Sequence, residues 1–173
     1  GREDLMLFIG SATHGDVEVR KRVLAQCLGY RDPRICRYEE GFWEAAGQER
    51  LLLKLQAVFC LEPAGDTPFR KSVTDSIVLG CIPVFFNPAT DFTSELLWEG
   101  LQNSTRIMVD RKEFMAGSID LRERLAAIPA AEVARMQAVL RSIRRRWIYS
   151  MEYSVGDSFW YALRGLHRAA EAA

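Results

Sequence analysis

Apolar positions fall into short continuous runs separated by stretches of helical spacing. That is the pattern of buried parallel strands alternating with amphipathic helices. Residues 5–9 (LMLFI) read as a buried strand ending at Gly10-Ser11. Asp16 then caps a helix over 16–28, with Val19, Val23, Leu24, Cys27 and Leu28 on one side and Gly29 at its end. Residues 34–38 read as a short strand, 48–57 as a helix with Leu51, Leu52 and Leu55 inward, and 58–61 as a strand. The loop 62–66 carries Pro63 and Gly65; Asp66 or Thr67 caps the next helix and Pro68 takes its first position. That helix runs to Leu79, stops at Gly80 and is followed by a strand over 81–86, which makes residues 59–86 a βαβ unit. Residues 92–101 mix helix and loop, 106–109 form a strand and 119–128 a helix. From Pro129 a long helix reaches about Tyr149, with Val133, Met136, Val139 or Leu140, Ile143 and Trp147 at helical spacing. A last helix over 156–169 carries Phe159, Trp160, Leu163 and Leu166. The alternation predicts an α/β fold: a Rossmann-like parallel sheet with helices on both faces. Residues 1–173 are read as a single domain, with the C-terminal helices over 130–170 packing on it.

Composition narrows the function. The chain is 49% hydrophobic and 27% charged, which excludes disorder and collagen-like repeats. Its 23 basic and 23 acidic residues cancel, which argues against a nucleic-acid role. The basic set is skewed to 19 Arg against 4 Lys. Most of that skew reads as compositional, and only position can mark an Arg as an anion clamp. The longest apolar stretch, 77–86, is about half of the roughly 20 residues a bilayer needs. The chain opens GREDLMLFIG, without an initiator Met, and is read as a trimmed piece whose location is not fixed by a missing targeting signal. Cys27, Cys36, Cys60 and Cys81 lack zinc spacing, and no metal site is expected. Cys27 and Cys36 are close enough to bridge in an oxidising compartment, while Cys60 and Cys81 read as packing residues inside strands. His14 and His167 read as surface or structural residues.

In an open parallel sheet, ligands bind beyond the carboxyl ends of the strands, near helix N-termini. Two places fit. One is Gly10-Ser11, leading into the helix that carries Arg20; the other is Gly65-Asp66-Thr67, leading into the helix that carries Arg70. Helix N-termini offer unpaired N–H groups, and glycine lets the backbone approach a phosphate. Arg70 reads either as a helix-surface cation or as an anion contact, and the first is weakened because a cation in the first turn of a helix is unfavourable unless an anion is present. Asp75, beside Ser72 and Thr74, lies about 140° around the helix from Arg70. An acid in this part of a Rossmann half can accept hydrogen bonds from sugar hydroxyls; otherwise Asp75 is a solvated helix residue. The GxGxxG fingerprint, the P-loop, the GxSxG elbow and an Asp-x-Asp metal pair are all absent from the sequence. The basic run 141–146 (RSIRRR) reads as a solvated helix face with Ile143 buried.

The run Phe59-Cys60-Leu61, Pro63, Gly65-Asp66-Thr67, Arg70-Lys71-Ser72, Asp75-Ser76 and Gly80-Cys81-Ile82-Pro83-Val84-Phe85-Phe86 resembles the signature of the exostosin-like (GT47) glycosyltransferases. It looks closest to the plant-type branch that includes the xyloglucan galactosyltransferases. Leu7-Phe8-Ile9-Gly10, Val19-Arg20 with Gln26-Cys27, and Ile128-Pro129 with Val133 and Met136 extend the resemblance. It implies the C-terminal, donor-binding half of a GT-B enzyme, with the catalytic base and acceptor groove on a missing N-terminal half. It implies a nucleotide-sugar donor, usually a uridine diphosphate sugar, and a glycan acceptor. It also implies a place in the Golgi lumen, as part of a type II membrane protein anchored outside this chain. By the resemblance, Arg70 neutralises the donor diphosphate with Lys71 and Ser72 beside it, and Asp75 lies where the ribose is held. Gly10, Ser11, Arg20, Gly65, Asp66 and Thr67 line the donor pocket. No cofactor is required, because a diphosphate leaving group can be stabilised by Arg and helix N-termini in place of a metal.

Four departures stand out: Glu62 where an uncharged residue is usual, Pro68-Phe69 where the family has an aromatic then Thr, Lys71 for a second Arg, and Thr74 for an aromatic. They leave open a non-catalytic domain that serves as a partner or stabilising subunit. An unrelated phosphate-binding Rossmann domain is a third reading.

Overall fold

The short apolar runs become parallel strands in a computed structural model, which describes residues 2–40, 47–92, 95–152 and 154–171. The strands are β1 (Asp4–Ile9), β2 (Cys36–Glu39), β3 (Ala57–Glu62), β4 (Ile82–Phe85) and β5 (Ile107–Met108). They pair in the order β2-β1-β3-β4-β5, all parallel. β1 sends its chain outward to β2, and β3 then returns to β1's other side. The strand order reverses there, so the crevice of the sheet opens beyond the carboxyl ends of β1 and β3.

Pleating divides the core. Met6 and Phe8 of β1 join Phe59 and Leu61 of β3 and Val84 of β4 in the main cluster, with Val19, Val23, Phe114, Leu121 and Leu125. Leu7 of β1 and Cys60 of β3 form a smaller cluster with Ala57 and Cys81. Between β1 and β2 runs α1 (Val17–Gly29). Asp16 is its N-cap, accepting from the Val19 amide at 3.4 Å. Gly29 is still helical; Tyr30 closes α1, and Arg31 takes the left-handed turn at φ 54°. Leu28, expected inward, is exposed.

The second helix differs most from expectation. It is short, α2 (Gly47–Leu52), and tightens into a 3-10 turn over Leu53–Leu55. Tightening changes the rotation per residue from about 100° to about 120° and resets which side chains face inward. Leu52 and Leu55 are exposed, and Lys54 is buried instead.

Helix α3 (Lys71–Leu79) starts three residues later than the position Pro68 predicts, and Arg70 is its N-cap in extended conformation. Tertiary contacts hold residues 66–69 out of the helix. The Thr67 hydroxyl donates to the Phe69 carbonyl at 2.6 Å, Thr90 donates to the Pro68 carbonyl at 3.1 Å, and Phe69 stacks on Trp147. The C-terminus is as expected: Gly80 caps α3 at φ 71°.

Beyond β4 come α4 (Ala89–Phe92), α5 (Glu95–Trp98), α6 (Arg111–Ala116), α7 (Leu121–Ala126) and α8 (Ala130–Ile143). The periodicity gave no sign of α6, yet its ends are marked: Asp110 accepts from the Glu113 amide, and Gly117 closes it at φ 89°. Helix α8 ends at Ile143 and continues as a 3-10 turn to Trp147, short of Tyr149. Met136, Leu140, Ile143 and Trp147 are buried. The last helix, α9 (Ser158–Glu171), is held by Arg146 and Arg164 on Glu99 and by Gly165 against Leu96. Its Phe159, Leu163 and Leu166 face outward.

Two disulfides staple the sheet. Cys27–Cys36 ties α1 to β2, the bridge the spacing allows. Cys60–Cys81 joins the middle of β3 to the residue before β4, where packing alone was expected. Its place is telling: Pro83 is the register partner of Cys60, and proline has no N–H to give to the ladder. Each bridge closes a loop of some ten to twenty residues, a constraint on the unfolded chain worth about 2–4 kcal/mol. Urea unfolding with and without reductant should show the reduced chain less stable by roughly that amount per bridge.

Candidate functional site

The crevice at the strand-order reversal is built from two loops, 10–16 after β1 and 63–70 after β3. They touch through backbone. The Asp16 amide donates to the Ala64 carbonyl at 3.2 Å. A methyl group on Gly15, which sits at φ +76°, would come within 2.5 Å of the Gly65 Cα. Only glycine meets both demands at position 15.

Arg20 seals the loops from behind. It reaches up from α1 with its side chain buried at 2% exposure. Its Nε donates to the Ser11 carbonyl at 2.5 Å, and Nη1 donates to the carbonyls of Pro63 and Ala64 at 3.3 and 3.4 Å. Gly10 leaves room for Nη2, which a Cβ there would meet at 2.5 Å. The guanidinium also lies over the Phe8 ring. Burial lowers the Arg20 pKa to about 10, with Arg70's charge acting in the same direction. Arg20 stays charged at neutral pH, so two guanidinium charges oppose each other at one point of the crevice. Glu62 and Asp66 offset part of that repulsion.

Arg70 lies on the open side. Its stem covers Gly65, where a Cβ would meet Cδ and Nε at 2.9 Å, and its Nη1 approaches the Pro63 carbonyl at 3.5 Å. Asp66 and Thr67 are exposed at the rim, and the Gly65 amide donates to the Thr67 carbonyl. Lys71 and Asp75 pair along α3 at 2.7 Å, with Lys71 in solvent and Asp75 mostly covered. Ser11 is buried, and its hydroxyl accepts from the Thr13 amide. On the far side Asp16 meets Arg111 at 3.0 Å. The Arg111 hydrogen bond is the main cause that holds the Asp16 carboxyl below the usual range, and burial opposes it. The structure therefore brings Gly10, Ser11, Gly65 and Arg70 together where the two loops meet, with Asp66 and Thr67 exposed beside them and Lys71 in solvent on α3. It sets Arg20 beneath the loops, with Nε and Nη1 donating to carbonyls.

Two residues that the sequence reading did not pair meet under α3. Lys54 and Glu62 form a buried ion pair at 2.7 Å, joined by Ser72 and Ser76. In the sequence the signal is divided: Glu62 departs from the family pattern, and Lys54 lies in a run of leucines.

The Exostosin GT47 domain model matches residues 1–112, well over half of the chain. The chain belongs to the exostosin GT47 family. An Arabidopsis thaliana protein described as a probable xyloglucan galactosyltransferase is 29% identical over 154 residues, covering 86% of this chain and 30% of that protein. A second so described is 32% identical over 162 residues, covering 86% and 33%. The Arabidopsis xyloglucan-specific galacturonosyltransferase 1 is 38% identical over 90 residues, 50% of this chain and 13% of that protein. The chain thus spans about a third or less of these relatives.

Three departures from the family pattern find physical partners: Lys54 for Glu62, Trp147 for Phe69 and Asp75 for Lys71. Nothing in the structure explains Thr74. The loop contact gives a graded expectation. Gly15→Ala meets backbone in a left-handed conformation and should cost more than about 2 kcal/mol, whereas Gly65→Ala meets only the movable Arg70 stem and should cost less. Urea unfolding of both variants checks this; equal losses would contradict the contact.

Proposed function

We propose that this exostosin GT47 chain is the donor-binding half of a GT-B glycosyltransferase that moves a sugar from a uridine diphosphate sugar to a glycan. The carrying observation is Arg70, set at the head of α3 over Gly65 and repelled by buried Arg20. A crevice with two opposed guanidinium charges, lined by glycine backbone and a helix N-terminus, is suited to an anion. A diphosphate placed there meets Arg70 directly, while Arg20 adds field through the loops. As the bond between sugar and diphosphate breaks, negative charge grows on the leaving oxygen. Fixed positive charge there favours that state over the bound substrate. In this reading Asp75, which pairs with Lys71 along α3, accepts from the ribose hydroxyls.

The relatives' names share xyloglucan and differ between galactosyl and galacturonosyl transfer. A β-glucan-based acceptor with a hexose or hexuronic acid donor fits that pattern. The general base and acceptor groove fall to the other half of the enzyme, so this chain alone binds donor without turnover. Two disulfides in one small domain suit an oxidising lumen, which agrees with a Golgi enzyme anchored elsewhere in its sequence. No described helix is long and apolar enough to cross a membrane.

Calorimetric titration of the chain with uridine diphosphate, with and without a divalent metal, tests the reading. Arg70→Ala should cost on the order of 2–3 kcal/mol, a loss of roughly 30- to 150-fold in affinity. Unchanged affinity, or no binding at millimolar ligand by the folded chain, would contradict the assignment.

A further inference from the structure

The pair beneath α3 carries an inference that rests on the donor-site reading above. Lys54 comes from the 3-10 turn ahead of β3, and Glu62 is the last residue of β3. Both side chains are only 2% exposed. The Lys54 ammonium lies 2.7 Å from Glu62 Oε1, 2.9 Å from the Ser72 carbonyl, 2.9 Å from Ser72 Oγ and 2.6 Å from Ser76 Oγ. The two serine hydroxyls donate to the same Glu62 oxygen at 3.0 and 2.7 Å. The charges cancel, and the hydroxyls close a ring of hydrogen bonds on Glu62 Oε1.

This network grips α3 by one face. Ser72 and Ser76 are one turn apart, so two points fix both the height and the rotation of the helix. Their neighbours are the candidate site residues: Arg70 and Lys71 precede Ser72, and Asp75 precedes Ser76. A slide or twist of α3 moves Arg70 and Asp75 together. An apolar contact at this position resists separation but not rotation, since it has no directionality. Glu62 also lies near enough to Arg20 to raise its proton affinity, so the same carboxylate speaks to both loops.

We propose that Lys54 and Glu62 are positioning residues: a buried ion pair that sets the first turn of α3, and through it Arg70 and Asp75, against the donor. None of Lys54, Glu62 or Ser76 is exposed enough to touch a ligand, so an effect on binding passes through the helix or, for Glu62, through its charge on Arg20, and Ser76→Ala isolates the first route.

The test uses the full-length enzyme and uridine diphosphate as probe, with two variants. Lys54→Met/Glu62→Leu replaces the pair by apolar volume, a change that buried pairs often tolerate in stability. Ser76→Ala removes one grip while placing the best helix former in α3, and carries the test if the double variant does not fold. The expected result is a near-native unfolding midpoint together with at least tenfold weaker binding in the double variant and about threefold in Ser76→Ala. Amide hydrogen exchange across residues 71–76 should quicken in step. Affinity within twofold of the unmodified enzyme overturns the proposal, whether or not exchange quickens, because the pair would then only fill space or anchor the helix. Failure of the unmodified enzyme to bind uridine diphosphate would instead defeat the donor-site reading, and this role with it, before any variant is made.

Discussion

A guanidinium shut under two loops must find acceptors for its donors, and much of this molecule follows from how Arg20 does so. It takes the carbonyls of Ser11, Pro63 and Ala64, which come from either side of the point where strand order reverses. Buried polar groups left unpaired are costly, so the loops cannot part without exposing both carbonyls and charge. Gly10 exists as glycine because Nη2 occupies the space of its side chain, and Gly15 because the Gly65 backbone occupies the space of its own.

The same charge sets the chemistry of the crevice. Arg20 is held in place by carbonyls that cannot neutralise it, and Arg70 is brought against its field from above. The buried pair of Lys54 and Glu62 solves the converse problem. Its charges cancel within the pair, and the Glu62 carboxylate still offsets part of the field at Arg20. Scaffold and site are separable here: Arg20 and Lys54 never meet solvent, and Arg70 and Lys71 do.

What could be read from the sequence was what local rules decide. Apolar runs gave the strands, Asp16 gave the start of α1 and Gly80 the end of α3. The glycines and arginines of the two loops lie at the carboxyl ends of strands, where a parallel sheet is expected to bind its ligand. What escaped was decided at a distance. Residues 66–69 are helical by capping signals, yet Phe69 is drawn to Trp147, far along the chain. Leu52 and Leu55 look like a core face, but a 3-10 turn rotates Lys54 inward to meet Glu62. Cys60 and Cys81 look like packing residues until the register of β3 on β4 brings them together. The outward apolar residues of α9 follow the same lesson, since periodicity gives a stripe but not what covers it.

The proposed donor diphosphate lies between the loops after β1 and β3. The most direct measurement is an amide map of the isotope-labelled chain titrated with uridine diphosphate. Saturable shifts confined to residues 10–16, 63–72 and the first turns of α1 and α3 are expected. Saturable shifts centred elsewhere, such as on β5, α7 or α9, with those loops silent, would contradict it.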